Sequence, residues 1–379
     1  MSITRIVHLT KCTLHVGFVI ITNLYCIPTY LLWMWFFLLP FRIINHPGYW
    51  YVEGILFKWM LSMVGSWSYK SGFHLVELGD DISSCTKDRC LFLVNHQSTA
   101  DVPLLMLAFQ EKNGVLESIM WIMDRMFRYT NFGAVSVTHG DYFITQGKAA
   151  RDYQMKKLER HLLNAYLGRN RRWIILFPEG GFLSKRKETS VKYAEKNNFP
   201  ILEHVTLPRV GALEVILNTL RPDGKLIEAL DNDVPLLKGT QEECEPLKWV
   251  IDLTIAYPEL HNPLDLLAIC ASSRPSCLTY LYYRRYPVAD VPLDSTDSLR
   301  DWVYARWSEK EELLKEYYST KKFPHLPQSQ RNGNSDIVQN QPHHVRMTVT
   351  QIISIHVFFI SSTLLHWYLL SKMWNFAWY

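Results

Sequence analysis

Two long uncharged apolar stretches, one near each end of the chain, constrain the fold more than any other feature. Residues 12–41 contain no charged side chain, and neither do residues 347–371. A helix needs about 20 consecutive apolar residues to cross a bilayer. The first stretch lacks the short apolar core and the small-residue cleavage site that are typical of a signal peptide. The sequence therefore predicts an integral membrane protein whose partners include the lipid bilayer.

A third apolar stretch, residues 53–69, is shorter and contains Lys58. We expect it to form an interfacial helix rather than a span. Pro28 lies inside the first long stretch and predicts a kinked or re-entrant path. The positive charges that flank this stretch are nearly balanced, so they do not set its orientation. The chain has no Asn-x-Ser/Thr sequon, which favours a central region outside the secretory lumen.

Charge and cysteine content exclude several classes of protein. The 379 residues carry a formal net charge of +4, which is too weak a basic bias to indicate a nucleic-acid partner. The seven cysteines are an odd number and show neither Cys-x-x-Cys nor Cys/His metal spacing. We therefore expect reduced thiols and no metal site. The length admits one large domain with appendages or two modest domains.

The centre of the chain, from about residue 73 to about residue 320, alternates short apolar runs with polar helical stretches. This alternation predicts an α/β domain with a mixed sheet flanked by helices. A helix is expected over residues 148–167. Strands are expected at residues 90–95, 133–137, 173–177, 205–208, 250–257 and 278–288.

A last helix of the domain is expected over residues 297–318, capped by Asp297 or Ser298. Glu311 stands four residues before Lys315, an order that favours an ion pair on the helix surface. The predicted organisation is an N-terminal membrane anchor with the interfacial helix (1–72), the α/β domain (73–320), a polar linker (321–346) and a C-terminal transmembrane helix (347–371).

A histidine and an aspartate follow the first apolar run of the domain, in "LFLVNHQSTAD". If the run is a central strand, His96 lies at its carboxyl end, where open α/β sheets bind their ligands. Ser98 or Thr99 would cap the next helix, and the Asp101 carboxylate would reach one ring nitrogen of His96. The other nitrogen could then take a proton. The spacing also fits a histidine bonded to a carbonyl, with the aspartate serving only the helix dipole.

A second candidate site follows the run at 173–177, in "FPEGG". Glu179 could bind a hydroxyl or a cation, and the amides of Gly180 and Gly181 could face a developing oxyanion. A plain tight turn is the competing interpretation. Basic residues flank this motif, either as a solvated face or as a site for anionic lipid or CoA phosphates: Arg169, Arg171, Arg172, Lys185, Arg186 and Lys187.

Four blocks in order resemble the glycerolipid acyltransferase family, the acylglycerolphosphate acyltransferases and their relatives. They are "NHQSTAD" (95–101), "GDYFI" (140–144), "FPEGG" (177–181) and "VTLPR" (205–209), and together they cover roughly residues 90–210. The stretches "YTNFG", "LFPEGGF", "EKNN" and "TLPR" are most similar to the lysophosphatidylglycerol acyltransferase branch.

The resemblance implies transfer of a fatty acyl group from acyl-CoA to the free hydroxyl of a lysophospholipid, in phospholipid remodelling. His96 would remove the hydroxyl proton and Asp101 would hold the imidazole, with no acyl-enzyme and no cofactor beyond acyl-CoA as co-substrate. The resemblance also implies a membrane of the endoplasmic reticulum, with the domain facing the cytosol that supplies acyl-CoA. Acceptor-binding residues would be Asn95, Phe177, Pro178, Glu179, Gly180, Gly181, Pro208 and Arg209.

Two departures from the family pattern bear on the acceptor. Phe182 and Gln146 stand where the family often has arginine, a residue suited to a phosphate monoester. Their presence favours a diester headgroup such as lysophosphatidylglycerol or lysophosphatidylethanolamine, although Lys148, Arg151 or Arg209 could substitute for the missing arginines.

Other functions remain open from the sequence. One is a monoacylglycerol acyltransferase, another is a membrane-bound lipid hydrolase, and a third is a scaffold without catalysis. A serine hydrolase is disfavoured because the chain lacks a Gly-x-Ser-x-Gly elbow, and because Ser98 is only two residues from His96.

Overall fold

The computed structural model describes residues 3–145, 147, 151–222, 245–323 and 339–378. In these residues an eight-stranded mixed sheet lies between two layers of helices, which confirms the predicted α/β class. The strands are β1 (Phe73–Asp80), β2 (Arg89–Val94), β3 (Ile119–Asp124), β4 (Tyr142–Ile144), β5 (Trp173–Leu176), β6 (Leu247–Ala256), β7 (Cys277–Pro287) and β8 (Gln339–His344).

The helices connect these strands and extend the chain at both ends. They are α1 (Ile3–Leu32), α2 (Leu39–Ile44), α3 (His46–Lys70), α4 (Asp101–Phe109), α5 (Asn131–His139), α6 (Arg151–His161), α7 (Leu183–Asn197), α8 (Gly211–Leu220), α9 (Leu266–Ala271), α10 (Thr296–Thr320) and α11 (Val349–Trp378). A π-helical turn, Trp33–Phe37, continues α1.

The sheet order is β4-β3-β5-β2-β6-β7-β1-β8. Neighbours from β4 to β6 are parallel, β7 runs antiparallel to β6, β1 is parallel to β7, and β8 is antiparallel to β1. Strand β2 is therefore central, with β5 and β6 parallel to it on either side. The polar residues that follow these three strands meet at one edge of the sheet, where α/β folds bind ligands.

Strand β2 is buried on both faces, which explains its continuous apolar run. Phe92 and Val94 contribute to the core that contains α3 and α4. Leu91 and Leu93 contribute to the opposite core, formed with α6, α8 and α10. The strand is thus held rigidly between two apolar layers.

Two predicted strands are wrong. Residues 133–137 lie in α5, because Thr130 caps that helix by accepting a hydrogen bond from the amide of Gly133, and Gly140 ends it at a φ of 97°. Residues 205–208 form no strand. Their amides bind side chains instead of a neighbouring strand: Thr206 donates to Glu179, and Leu207 donates to Ser190.

Two details of α10 also differ from the prediction. Its cap is Ser295, which forms a reciprocal capping box with Ser298. Glu311 turns inward to His204 instead of pairing with Lys315, whose partner on the helix is Glu312. The inward orientation of Glu311 places a carboxylate next to the candidate active site.

The interfacial helix predicted over residues 53–69 is wrong as well. These residues belong to α3, most of which is buried against α4 and the sheet. The Lys58 ammonium lies 2.5 Å from the Glu117 carboxylate, within the domain. A core helix and an interfacial helix have similar compositions, so only the packing separates them.

Within the described residues, two helices are long and apolar enough to cross a membrane, Ile3–Phe37 and Val349–Phe376. They contact each other through polar pairs, with the Tyr25 hydroxyl 2.6 Å from Nδ1 of His356. Helix α1 continues through Pro28 without interruption. The predicted linker 321–346 lies partly outside the described residues, and its end forms the edge strand β8.

Candidate active site

His96 and Asp101 face each other across the corner between β2 and α4. Nδ1 of His96 lies 2.8 Å from Oδ2 of Asp101, as the sequence predicted. Nδ1 is thereby engaged, so Nε2 is the ring nitrogen that can accept a proton from a substrate. The His96 side chain is 14% exposed, whereas that of Asp101 is fully buried. The pair has the geometry of a general base and its orienting acid.

The Asp101 carboxylate is fixed by several further donors. The amides of Gln97 and Ser98 donate to Oδ2 at 2.9 and 3.0 Å. The Tyr257 hydroxyl donates to Oδ1 at 2.5 Å. Burial and the Asp101 charge raise the pKa of Tyr257 well above its ordinary value, so Tyr257 remains a donor. The sequence did not reveal that Tyr257 belongs to the site, because it is 156 residues from Asp101. The one signal for it was its position at the end of the predicted strand 250–257.

Two aromatic rings pack on the imidazole. The ring centroids of Phe177 and Phe182 lie 4.2 and 4.3 Å from that of His96. The amide of Leu183 donates to the His96 carbonyl at 2.8 Å. The loop between β5 and α7 therefore forms one wall of the site. Phe182 supplies an apolar surface at the position where the family often has a cation.

Glu179 lies beneath this wall and is 1% exposed. Its Oε1 accepts from the His96 amide at 3.1 Å and from the Trp307 indole at 3.4 Å. Its Oε2 accepts from the amide and the hydroxyl of Thr206 at 3.1 and 2.7 Å. Burial raises the pKa of Glu179 to about 7. Both oxygens accept hydrogen bonds from the chain, and these bonds connect the loops around the site. Acceptor binding by Glu179 stays a prediction.

The two glycines have different environments. The Gly180 amide donates to the Phe177 carbonyl at 3.1 Å and closes the turn, so it does not face an oxyanion. Gly180 and Gly181 adopt φ values of 70° and 156°, which favour glycine. Of the two predicted oxyanion donors, Gly181 alone retains that role as a prediction.

Asn95 and Ser98 are structural residues. Nδ2 of Asn95 donates to the Ile255 carbonyl at 3.0 Å, and Oδ1 accepts from the Ile255 amide at 2.7 Å, which continues the pairing of β2 with β6. Asn95 is fully buried, and acceptor binding by this residue stays a prediction. The Ser98 hydroxyl donates to the Leu264 carbonyl, which makes it unavailable to His96 as a nucleophile.

Helix α10 supports the site from below, and the sequence singled out neither Trp307 nor Lys310 for this role. Besides Trp307, it contributes Lys310, whose ammonium donates to the carbonyls of Leu253 at 2.6 Å and Leu93 at 3.3 Å. Glu311 accepts from Nδ1 of His204 at 2.7 Å. These contacts connect α10 to the carboxyl ends of β2 and β6.

Pro208 and Arg209 lie near the same turn. Pro208 is buried, and the amide of the exposed Arg209 donates to the Pro178 carbonyl at 2.8 Å. Gln146 and Lys148 lie outside the described residues. No cluster of three or more His, Cys, Asp or Glu side chains suited to a metal ion occurs in the described part of the chain.

Comparisons with known proteins bear directly on this site. A family model described as Acyltransferase matches residues 76–219, and one described as Acyltransferase C-terminus matches residues 273–352. The chain is 45% identical to acyl-CoA:lysophosphatidylglycerol acyltransferase 1 of Homo sapiens, over 83% of this chain and 84% of that protein. It is 28% identical to the putative 1-acyl-sn-glycerol-3-phosphate acyltransferase acl-12 of Caenorhabditis elegans, over 76% of this chain and 71% of that protein.

Among solved structures, the crystal structure of the 1-acyl-sn-glycerophosphate (LPA) acyltransferase PlsC from Thermotoga maritima aligns with 81% of this chain and 99% of that chain. The TM-score is 0.38 and the sequence identity is 14%.

The chain has a histidine–aspartate pair at the edge of its sheet, and two acyltransferase family models match it. These two observations together define an acyltransferase. The resemblance of the four sequence blocks is thereby confirmed. The chain belongs to the glycerolipid acyltransferase family, in its acyl-CoA:lysophosphatidylglycerol acyltransferase branch. It is a membrane-associated enzyme.

Proposed function

We propose that this enzyme transfers a fatty acyl chain from acyl-CoA to the free hydroxyl of a lysophospholipid such as lysophosphatidylglycerol or lysophosphatidylethanolamine. The observation that carries the proposal is the 2.8 Å contact between His96 and Asp101 at the carboxyl edge of the sheet. The similarity to acyl-CoA:lysophosphatidylglycerol acyltransferase 1 supports the choice of both substrates.

The proposed reaction has a single displacement. Nε2 of His96 takes the proton of the lysophospholipid hydroxyl. At the same time, the hydroxyl oxygen attacks the carbonyl carbon of the acyl-CoA thioester. The carbon–sulfur bond then breaks, and the departing CoA sulfur takes the proton back from the imidazolium. Asp101 stabilises the imidazolium that forms between these steps. The products are the phospholipid ester and free CoA, and acyl-CoA is the only co-substrate required.

The environment of Ser98 favours acyl transfer over hydrolysis. Its hydroxyl donates to the Leu264 carbonyl, and its side chain is mostly buried. A serine hydrolase would need this oxygen, or another serine oxygen, within reach of Nε2 of His96. Direct attack by a lipid hydroxyl needs only the base, which the structure supplies.

The apolar wall beside His96 supports a diester acceptor. Phe182 lies against the imidazole where the family often has arginine, so the phosphate monoester site expected in relatives with that arginine is altered here. If lysophosphatidic acid were the best acceptor in a side-by-side assay, this part of the proposal would be wrong.

We further propose that the enzyme resides in the endoplasmic reticulum membrane with its α/β domain in the cytosol, where acyl-CoA is available. The two long apolar helices support membrane attachment. In sealed microsomes, an added protease is expected to degrade residues 73–320 without detergent. Protection of this region until detergent is added would place the domain in the lumen.

The function is tested with the purified full-length protein in nanodiscs. Several acyl-CoAs are combined with several lysophospholipids and with monoacylglycerol, while CoA release and the lipid product are measured. His96→Ala is expected to lower kcat by about 100-fold to 10,000-fold, the usual contribution of a general base. His344→Ala, at the exposed edge strand β8, is the matched control.

Three outcomes would contradict the proposal. Release of fatty acid without an acceptor would indicate a hydrolase. Acylation of monoacylglycerol in preference to every lysophospholipid would indicate a neutral-lipid acyltransferase. Unchanged activity of the His96→Ala variant would show that the histidine is not the base.

A further inference from the structure

Two arginines from different segments converge on the glycine turn next to His96. We infer that Arg186 and Arg209 form a binding site for the phosphodiester group of the lysophospholipid acceptor. Arg186 lies on the first turn of α7, and Arg209 follows the buried Pro208. The inference rests on the proposed acyl transfer and names the group that orients its acceptor.

The turn is built so that each glycine contacts one arginine. A Cβ atom at Gly180 would lie 3.3 Å from the guanidinium carbon of Arg209. A Cβ atom at Gly181 would lie 3.1 Å from the Cγ atom of Arg186. Both distances are shorter than ordinary carbon contacts, so a side chain at either glycine would displace the neighbouring arginine. The absence of side chains at the two glycines therefore leaves room for both arginines beside the same turn.

The same turn is attached to the catalytic base. Leu183, three residues before Arg186, donates its amide proton to the His96 carbonyl at 2.8 Å. The amide of Arg209 donates to the Pro178 carbonyl at 2.8 Å. These hydrogen bonds hold the backbone segments that carry both arginines next to the segment that carries the imidazole.

The electrostatics of the pair favour an anion. Partial burial of the guanidinium and the positive charge of Arg186 lower the pKa of Arg209, as expected for two like charges on the same turn. A phosphate group between them would remove this repulsion, and guanidinium groups bind phosphate oxygens through paired hydrogen bonds. The pair is thus suited to a phosphodiester in a way that a single surface arginine is not.

Both substrates of the proposed reaction carry phosphate, and their shapes distinguish them. In a lysophospholipid the free hydroxyl and the phosphodiester are within two carbons of each other on glycerol. In acyl-CoA the whole pantetheine arm separates the thioester from the phosphates. A cation pair on the turn that contacts the base therefore fits the acceptor better than it fits CoA.

The test compares the KM values of the two substrates in the same enzyme. Arg186→Gln and Arg209→Gln are each expected to raise the KM for lysophosphatidylglycerol by about 10-fold to 100-fold, the loss of a charged hydrogen bond. The KM for acyl-CoA and the kcat should change little. Arg186→Lys keeps the charge without the paired geometry, so its KM should be intermediate. Lys196→Gln, exposed in the last turn of α7, is the matched control.

Each alternative outcome has a defined meaning. An increased KM for acyl-CoA with an unchanged KM for lysophosphatidylglycerol would assign the arginines to CoA phosphates and overturn the inference. Wild-type KM values for both substrates would overturn it as well. If the wild-type enzyme acylated no lysophospholipid, the proposed function itself would fail, which is a distinct result. Thermal unfolding of each variant separates a binding defect from misfolding.

Discussion

The hydroxyl of Tyr257 donates to Oδ1 of Asp101 at 2.5 Å, the carboxylate oxygen that His96 does not contact. Tyr257 follows β6 and Asp101 begins α4, so this bond connects two strand ends through the orienting acid of the proposed base. Holding the carboxylate from both sides restricts the orientations available to the imidazole.

Tyr257→Phe removes this donor and nothing else. We expect kcat to fall by about 10-fold with little change in KM, because a hydrogen bond to a charged group contributes roughly 1.5–3 kcal/mol and part of it maintains the alignment of the base. Steady-state kinetics measure the effect. Tyr283→Phe is the control, since Tyr283 donates to the buried Glu77 in the β1–β7 region. Equal kcat values for Tyr257→Phe and the wild type would show that the bond has no catalytic role.

Glu179→Gln is expected to alter how stability depends on pH. Burial raises the pKa of Glu179 from 4.5 to about 7, so the folded protein retains this proton where the unfolded chain has lost it. The wild type should therefore lose roughly 3 kcal/mol of stability from this group as pH rises from about 4.5 to about 7. The variant should lack this contribution. Thermal unfolding at several pH values tests the prediction, which parallel curves for both proteins would contradict.

Lys310→Met should be strongly destabilising. Lys310 is fully buried, pairs with Asp252 and binds the carbonyls of Leu93 and Leu253. Breaking a buried ion pair typically costs about 3–5 kcal/mol. Thermal unfolding in detergent is the measurement, and Lys315→Met, exposed on the same helix, should leave the unfolding temperature unchanged. A small effect of Lys310→Met would mean that Arg284 alone neutralises Asp252.

Glu53→Gln tests how α3 is attached to the domain. The Glu53 carboxylate lies 2.8 Å from His139, 2.7 Å from Arg171 and 2.6 Å from the Tyr30 hydroxyl. Burial would raise the pKa of Glu53, but His139 and Arg171 outweigh burial and lower it to about 2. Its contribution to stability should be complete above pH 4.5 and lost as pH falls towards 2.

Unfolding experiments between these pH values should show the acid-sensitive contribution in the wild type and not in the Glu53→Gln variant. The variant should also be less stable at neutral pH, because it leaves the buried Arg171 without its carboxylate. Glu259→Gln, at an exposed position, is the control. If both glutamate variants behaved alike, the buried cluster would not be a stabilising contact.

Features whose parts are close together in the chain could be predicted from the sequence. His96 and Asp101 are five residues apart, so one strand-to-helix corner is enough to bring them together. The apolar run of β2 predicted a strand, and the ordered sequence blocks indicated the family. In each case the necessary information lies within a short segment.

Tertiary structure decided the remaining features, because they depend on contacts between distant segments. Tyr257 and Trp307 reach the site from 156 and 128 residues away from their partners Asp101 and Glu179. The four donors that surround the Glu179 carboxylate also come from distant segments, His96, Thr206 and Trp307. Likewise, an apolar helix becomes a core helix or an interfacial helix according to what packs against it, and local composition does not record that partner.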